Sequence, residues 1–130
     1  MVQEAIAEQS MTIVTYGMGV HWALNASKDF EGQVEIVDLR TLHPLDEKTI
    51  IESVTKTNRC LIVTEEPASN TFGRALAGMI QEKCFESLDA PVRVIGSEDM
   101  PAIPLNSVLE QTMIPSAEKV KVKIEELLAY

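Results

Sequence analysis

The sequence has few of the residues on which small specialised proteins depend. It contains two cysteines, two histidines and one tryptophan among 130 residues. Neither Cys60 nor Cys84 has metal-ligand spacing or a nearby histidine. We interpret both as small hydrophobic residues in a reducing compartment, with a disulfide between them as the alternative. His21 and His43 are expected in separate loops or turns, so neither a catalytic triad nor a metal centre is indicated.

Long apolar runs and positive charge are also scarce. No apolar run approaches the roughly 18 residues of a membrane-spanning helix, and the first residues lack the basic start of a signal peptide. Eleven basic and twenty acidic residues give a net charge of −9. Because such a chain repels phosphates and anionic lipids, we expect neither nucleic acid nor a membrane as a partner. A basic protein partner is permitted, and the cytoplasm is the default location.

The pattern of apolar residues predicts one domain over residues 1–130, with strands alternating with helices. Parallel βαβ units with helices on both faces of a sheet follow from this order. The first predicted strand is too close to the second for a helical crossover, so we place it antiparallel at an edge. The expected fold is a three-layer α/β/α domain with a five-stranded, mostly parallel sheet. The predicted strands are Glu4–Ala7, Met11–Tyr16, Gln33–Val37, Arg59–Thr64 and Val92–Ile95.

Two helices have clear start signals. Asp46 is placed to cap a helix that carries Ile50 and Val54. The last helix begins near Ser116 and continues to Leu128. Val122 lies outside the apolar stripe of that helix, which leaves it free to contact a neighbouring subunit. Between residues 96 and 115 the periodicity weakens, and we expect a loop that crosses the edge of the sheet.

The segment Gly17-Met18-Gly19 follows a predicted strand and opens a helix, as a nucleotide-binding turn would. A dinucleotide-binding fingerprint needs a third glycine at position 22, where this chain has Trp22. We therefore interpret the two glycines as residues that permit a tight turn from strand to helix. No cofactor-binding residue is assigned.

A group of polar residues is expected at the carboxyl edge of the sheet. The segment from Asp38 through Arg40 and Thr41 to Pro44 follows an apolar strand and leads into a helix. Arg40 and Glu66 are expected to end neighbouring parallel strands and to form a structural ion pair. A phospho-acceptor role for Asp38, as in receiver domains, is disfavoured because the strand that ends at residues 94–97 has no lysine.

Several segments of the sequence resemble one protein family, in the family's own order. They are similar to the C-terminal, transketolase-C-like domain of the beta subunit in the thiamin-diphosphate-dependent decarboxylating component of 2-oxo acid dehydrogenase complexes. Two of them, Gln81–Phe85 and Glu66-Pro67, are closer to the branched-chain (2-oxoisovalerate) type than to the pyruvate type. The chain departs from the family at residues 98–104 and 69–71. The similar segments are residues 12–17, 20–21, 38–44, 65–67, 81–85 and 89–92.

The resemblance implies a domain excised from a longer chain and inactive alone. The full enzyme would decarboxylate a branched-chain 2-oxo acid and transfer the acyl group to lipoamide, using thiamin diphosphate and magnesium bound by other domains. The family's cofactor motif, Gly-Asp-Gly followed by Asn-Asn, is absent here. The alternative is a free-standing, flavodoxin-like module that binds a ligand or has a regulatory role.

The resemblance also implies partners: other subunits or domains of the decarboxylating component, and the small basic subunit-binding domain of the acyltransferase. An acidic surface suits such a basic partner. We expect it to bind the loop with Glu98, Asp99, Pro101 and Pro104, together with the carboxylate at Tyr130.

Overall fold

A computed structural model describes residues 2–6, 9–40, 45–67, 72–97 and 116–130. Strands and helices alternate along these residues. The strands are β1 (Met11–Thr15), β2 (Val34–Asp38), β3 (Cys60–Pro67) and β4 (Arg93–Ser97). The helices are α1 (Met18–Ala26), α2 (Glu47–Thr57), α3 (Phe72–Cys84) and α4 (Ala117–Leu128), with short 3₁₀ turns at Ser27–Asp29 and Phe85–Ser87.

The four strands form one parallel sheet in the order β2-β1-β3-β4. Ile13 in the middle of β1 lies between Ile36 of β2 and Leu61 of β3. One face of the sheet packs against α1 and α4, with Ile13 and Ile124 in its core. The other face packs against α2 and α3, with Val14 and Ile80 in its core. The predicted α/β fold with helices on both faces is therefore confirmed.

The expected fifth, antiparallel edge strand is wrong. Residues 2–6 do run antiparallel beside β2, but they form only one isolated bridge, between Gln3 and Ile36. The ladder stops because the Ala5 amide donates to the side-chain carboxylate of Glu35, at 3.2 Å, and to no main-chain carbonyl. The described residues therefore form four parallel strands, with a short flanking segment along the β2 edge.

The expectation that Arg40 and Glu66 end neighbouring strands is also wrong. β1 lies between β2, which precedes Arg40, and β3, which contains Glu66. The physical reason is that the chain crosses over β1 after α2, so the second and third parallel strands pair on opposite sides of the first. Periodicity predicts the strands but says nothing of this order.

The helix signals in the sequence are confirmed. Asp46 caps α2, accepting hydrogen bonds from the Thr49 amide at 3.3 Å and the Thr49 hydroxyl at 2.7 Å. These bonds lower the pKa of the Asp46 carboxyl. Ser116 caps α4 through the Lys119 amide. Val122 is exposed, as its position outside the apolar stripe predicts.

Both cysteines are buried and free, which confirms their interpretation as small hydrophobic residues. Burial raises the pKa of the Cys60 thiol well above its ordinary value. None of the helices in the described part of the chain combines the length and the apolar character that crossing a bilayer requires.

Candidate functional site

The carboxyl edge of the sheet is closed by a tight turn between β1 and α1. Gly17 has a φ of 62°, in the left-handed region that favours glycine. A Cβ on Gly19 would lie 2.0 Å from the Thr15 hydroxyl oxygen and 3.1 Å from the Val63 carbonyl oxygen. Both glycines are therefore required by backbone geometry and close packing, which confirms the structural interpretation of this segment.

Glu65 occupies the N-terminus of α1, the usual place for an anion in such a turn. Its carboxylate oxygen Oε1 accepts a hydrogen bond from the Met18 amide at 2.9 Å. The exposed helix end thus already has a negative partner. A diphosphate placed there would be repelled by Glu65, so these residues do not fit a thiamin diphosphate site.

No group of three or more His, Cys, Asp or Glu side chains in the described ranges is placed to hold a metal ion. His21 lies exposed on α1, so its expected position in a loop or turn is wrong, while His43 falls outside those ranges.

The predicted polar group at the end of β2 is only partly within the described residues. Arg40 Nε lies 3.9 Å from Asp38 Oδ2, and the Arg40 side chain is 87% exposed. An ion pair this exposed contributes about 0–1 kcal/mol. Thr41, Pro44 and the Glu66 side chain lie outside the described residues, so the pairing of Arg40 with Glu66 stays a prediction.

Aromatic packing stabilises the same edge. Tyr16 and Phe72 meet edge to face, with ring centroids 6.1 Å apart. The Tyr16 hydroxyl lies 2.9 Å from the hydroxyl of buried Thr64. Thr64 is therefore part of the packing between β1 and β3.

The amino edge of the sheet, by contrast, gathers exposed side chains around two adjacent residues of the α2–β3 turn. Asn58 adopts a left-handed conformation with φ 68°. Its side-chain amide donates to the Ser87 carbonyl at 2.6 Å, and its own carbonyl accepts from the Asp89 amide at 2.8 Å. The Arg59 guanidinium donates to the Tyr130 carbonyl at 2.8 Å and to the Ser10 carbonyl at 3.3 Å. The turn at residues 85–89 and the last residue are thus held at the same edge.

Two large side chains at this edge remain in solvent. Phe85 is 69% exposed and Tyr130 is 53% exposed. Acidic residues near Phe85 in the chain are also exposed, namely Glu82, Glu86 and Asp89. We name Phe85, Asp89 and Tyr130 the amino-edge face. Of these three residues the sequence predicted a role for Tyr130 alone, and that role stays a prediction.

The remaining predicted partner residues cannot be placed beside Tyr130. Glu98, Asp99, Pro101 and Pro104 lie outside the described residues. β4, which precedes them, ends at the carboxyl edge, whereas Tyr130 is tied to the amino edge by Arg59. The joint role predicted for that loop and Tyr130 stays a prediction.

A buried polar network connects β1, β2 and α2, and it was not predicted from the sequence. Glu35 is fully buried and lies 2.5 Å from the Lys56 ammonium. Ser53 donates a hydrogen bond to the second Glu35 carboxylate oxygen. The Thr12 hydroxyl lies 2.8 Å from that of Ser53 and 2.7 Å from that of Thr57. The only signal in the sequence is a glutamate within the apolar run of β2.

Comparison with known proteins identifies the family of the chain. The sequence matches the family described as transketolase, C-terminal domain, over residues 2–120. It is 36% identical over 123 residues to the 2-oxoisovalerate dehydrogenase subunit beta of Bacillus subtilis (strain 168), covering 92% of this chain and 38% of that protein. It is 38% identical over 112 residues to the pyruvate dehydrogenase E1 component subunit beta of Rhizobium meliloti (strain 1021), covering 84% of this chain and 24% of that protein.

Among solved structures, an inactive beta4 tetramer of a split-gene transketolase has the same fold. Its TM-score is 0.74 at 23% identity, over 95% of this chain and 40% of that one. The chain thus spans well under half the length of each of these relatives. Since the family match covers most of its residues, the chain belongs to the transketolase C-terminal domain family.

Proposed function

We propose that this chain is the C-terminal assembly domain of the beta subunit of a thiamin-dependent 2-oxo acid dehydrogenase, of the branched-chain type. The observation that carries the proposal is its similarity, over 92% of its length, to the 2-oxoisovalerate dehydrogenase beta subunit. The full enzyme would decarboxylate 2-oxoisovalerate and pass the acyl group to lipoamide. This domain would contribute subunit contacts and no catalytic group.

The occupied turn at the carboxyl edge supports a role without cofactor. Glu65 already satisfies the Met18 amide at the start of α1, where an anionic cofactor would otherwise bind. Thiamin diphosphate and magnesium would be held by other domains of the longer protein. Calorimetric titration of this chain with thiamin diphosphate and Mg²⁺ should give no heat of binding, and micromolar binding would contradict this part of the proposal.

The amino-edge face is the surface that we propose for the acyltransferase's subunit-binding domain. Phe85 and Tyr130 supply large apolar contact areas of the kind that dominate protein interfaces. Asp89 supplies negative charge to a basic partner, in a chain whose net charge is −9. Asn58 and Arg59 hold both parts of the face in place, so little ordering is needed on binding.

A domain replacement tests the assembly function. The matching segment of the Bacillus subtilis beta subunit is replaced by this chain, and the hybrid is expressed with the alpha subunit of that enzyme. We expect co-purification of both subunits and decarboxylation of 2-oxoisovalerate in preference to pyruvate. The control is the same beta subunit truncated before the segment, which should fail to assemble. A hybrid that folds but behaves like this control would favour the free-standing module.

The docking face is tested separately on the whole chain. Binding of a cognate subunit-binding domain should weaken at least about tenfold in Phe85→Ala, since truncated interface anchors cost about 2 kcal/mol or more. Raising the salt concentration should slow association. Met18→Ala is the matched control, because Met18 is 49% exposed but lies at the opposite edge. Equal affinity for both variants and the parent chain would refute this surface.

A further inference from the structure

The segment of residues 2–6, which we call the strap, covers the outer edge of β2. Uncovered edge strands present free main-chain groups and are prone to pairing with other chains. The strap occupies several of these groups. The Val2 amide donates to the Ile36 carbonyl at 2.9 Å, the Ile36 amide donates to the Gln3 carbonyl at 2.9 Å, and the Ile6 amide donates to the Gly32 carbonyl at 2.8 Å.

The strap buries little apolar surface. Its two large apolar side chains, Val2 and Ile6, are 41% and 88% exposed. An open cavity of about 420 Å³ lies between the strap and α1, lined in part by Ile6 and Leu24. Hydrophobic burial therefore contributes little to holding the strap, and polar contacts must supply most of its attachment.

Two side chains supply these polar contacts: Gln3 of the strap donates to the Val34 carbonyl at 2.8 Å and to the Ser27 hydroxyl at 3.3 Å, and Glu35 reaches the strap from the core. Glu35 is fully buried, and its carboxylate accepts hydrogen bonds from Ser53 and from the Ala5 amide. Lys56 approaches the oxygen that the Ala5 amide also contacts, at 2.5 Å. Hydrogen bonds to a charged group are about twice as strong as neutral ones. Ser53 and Lys56 both belong to α2, so the carboxylate is held by the helix on its core side.

We propose that Glu35 is a positioning residue that latches the strap, and that the strap is a detachable cover of the β2 edge. The parallel sheet does not depend on the strap, because β2 is paired with β1 along its whole length. When the latch is weakened, the strap opens while the four strands and their helices stay folded. Opening frees the Ile36 amide and exposes the edge of β2.

Amide hydrogen exchange, measured residue by residue by NMR, tests the latch. In Glu35→Gln, we expect the Ile36 and Ile6 amides to exchange at least about tenfold faster, because a charge-assisted bond is replaced by a neutral one. The Leu39 amide, which donates to the Thr15 carbonyl at 2.8 Å, reports on the β2–β1 pairing and should be unchanged. Glu31→Gln is the matched control, since Glu31 is an exposed carboxylate beside the same cavity.

Ala5→Pro is the second variant, for the case in which Glu35→Gln does not fold. It removes the amide that Glu35 binds and leaves the side chains of the core network in place. It should accelerate exchange at Ile36 and leave Leu39 unchanged. Unchanged exchange at Ile36 in the folded variants would overturn the proposal. An equal acceleration of the Ile36 and Leu39 amides would also overturn it, since the sheet would then open together with the strap.

Discussion

Substitution of Gly19 gives the sharpest test of how the β1–α1 turn is built. In Gly19→Ala the new methyl group would lie 2.0 Å from the Thr15 hydroxyl oxygen, which itself donates to the Val63 carbonyl at 2.8 Å. Rotation of Thr15 would relieve this clash but would break a buried hydrogen bond. It would not relieve the second close approach, 3.1 Å to the Val63 carbonyl.

The size of the effect follows from three terms. Overpacking costs about 1–3 kcal/mol, and loss of the buried hydrogen bond costs about 1–3 kcal/mol. The better helix propensity of alanine returns at most about 1 kcal/mol. We therefore expect Gly19→Ala to lower the free energy of unfolding by about 3 kcal/mol. The melting temperature should fall by about 10 °C for a domain of this size.

Chemical and thermal denaturation measure this change, and the chain supplies its own control. Gly78 is an exposed glycine in α3, and a Cβ there would meet nothing within 4 Å. Gly78→Ala should raise stability by about 0.5–1 kcal/mol. In the double variant Thr15→Ala/Gly19→Ala the clash with the hydroxyl is absent. Its loss of unfolding free energy should therefore be smaller than the sum of the losses in the two single variants. Stability of Gly19→Ala equal to or above that of the parent chain would refute the packing argument.

Three further outcomes are expected from the side chains of the core and the caps. Asp46→Ala should lower the unfolding midpoint, because it removes the cap of α2. In the parent chain the cap stabilises the fold above the unfolded-state pKa of Asp46, and this stabilisation is lost as pH falls through the lower folded-state pKa. A difference in midpoint between the two proteins that persists below pH 3 would contradict this. Cys60 and Cys84 should resist alkylation by iodoacetamide at pH 8 until denaturant unfolds the chain, because burial raises the pKa of both thiols and blocks access of the reagent. Mass spectrometry counts the labelled thiols, and labelling of the folded chain would disprove this prediction. Lys56→Met should destabilise the chain by about 1–2 kcal/mol, more than an exposed ion pair contributes, because buried Glu35 loses its counter-charge. The hydrogen bond to Glu35 raises the pKa of Lys56, so the parent chain should lose this stabilisation only as pH rises through the folded-state pKa of Lys56. A variant as stable as the parent chain would refute the role of the pair.

The strands and helices could be predicted from the sequence because their periodicities are strong. β3 begins with the continuous apolar run Cys60–Val63, which is typical of a strand buried on both faces. Asp46 and Ser116 mark helix starts with side chains that have few other local roles. The order of the strands could not be predicted in this way. It depends on the direction in which α2 crosses the sheet, and periodicity does not record that direction.

The polar contacts were predicted less well, because they depend on tertiary packing. A glutamate in an apolar strand could face solvent or a helix, and only the packing of α2 on β2 decides that Glu35 is buried. The same carboxylate accepts a hydrogen bond from the Ala5 amide. Residues 2–6 therefore form a single bridge with β2 and not the expected edge strand. Phe85 had no periodic signal, since its exposure follows from the 3₁₀ turn after α3. Tyr130 was predicted from the family resemblance, and its role in partner binding stays a prediction.

The described residues are arranged differently at the two edges of the sheet. Open α/β domains commonly bind ligands at the carboxyl ends of their strands. Here the Glu65 carboxylate accepts a hydrogen bond from the start of α1, and Gly19 allows that helix to approach the Thr15 hydroxyl and the Val63 carbonyl closely. At the amino edge, by contrast, Asn58 and Arg59 use their polar groups to fix neighbouring main chain, which leaves the side chains of Phe85 and Tyr130 in solvent. Rigid support beneath exposed aromatic residues is what a protein interface requires. Because the amino edge combines such support with exposed aromatic residues, it is the edge at which we propose that a partner protein binds.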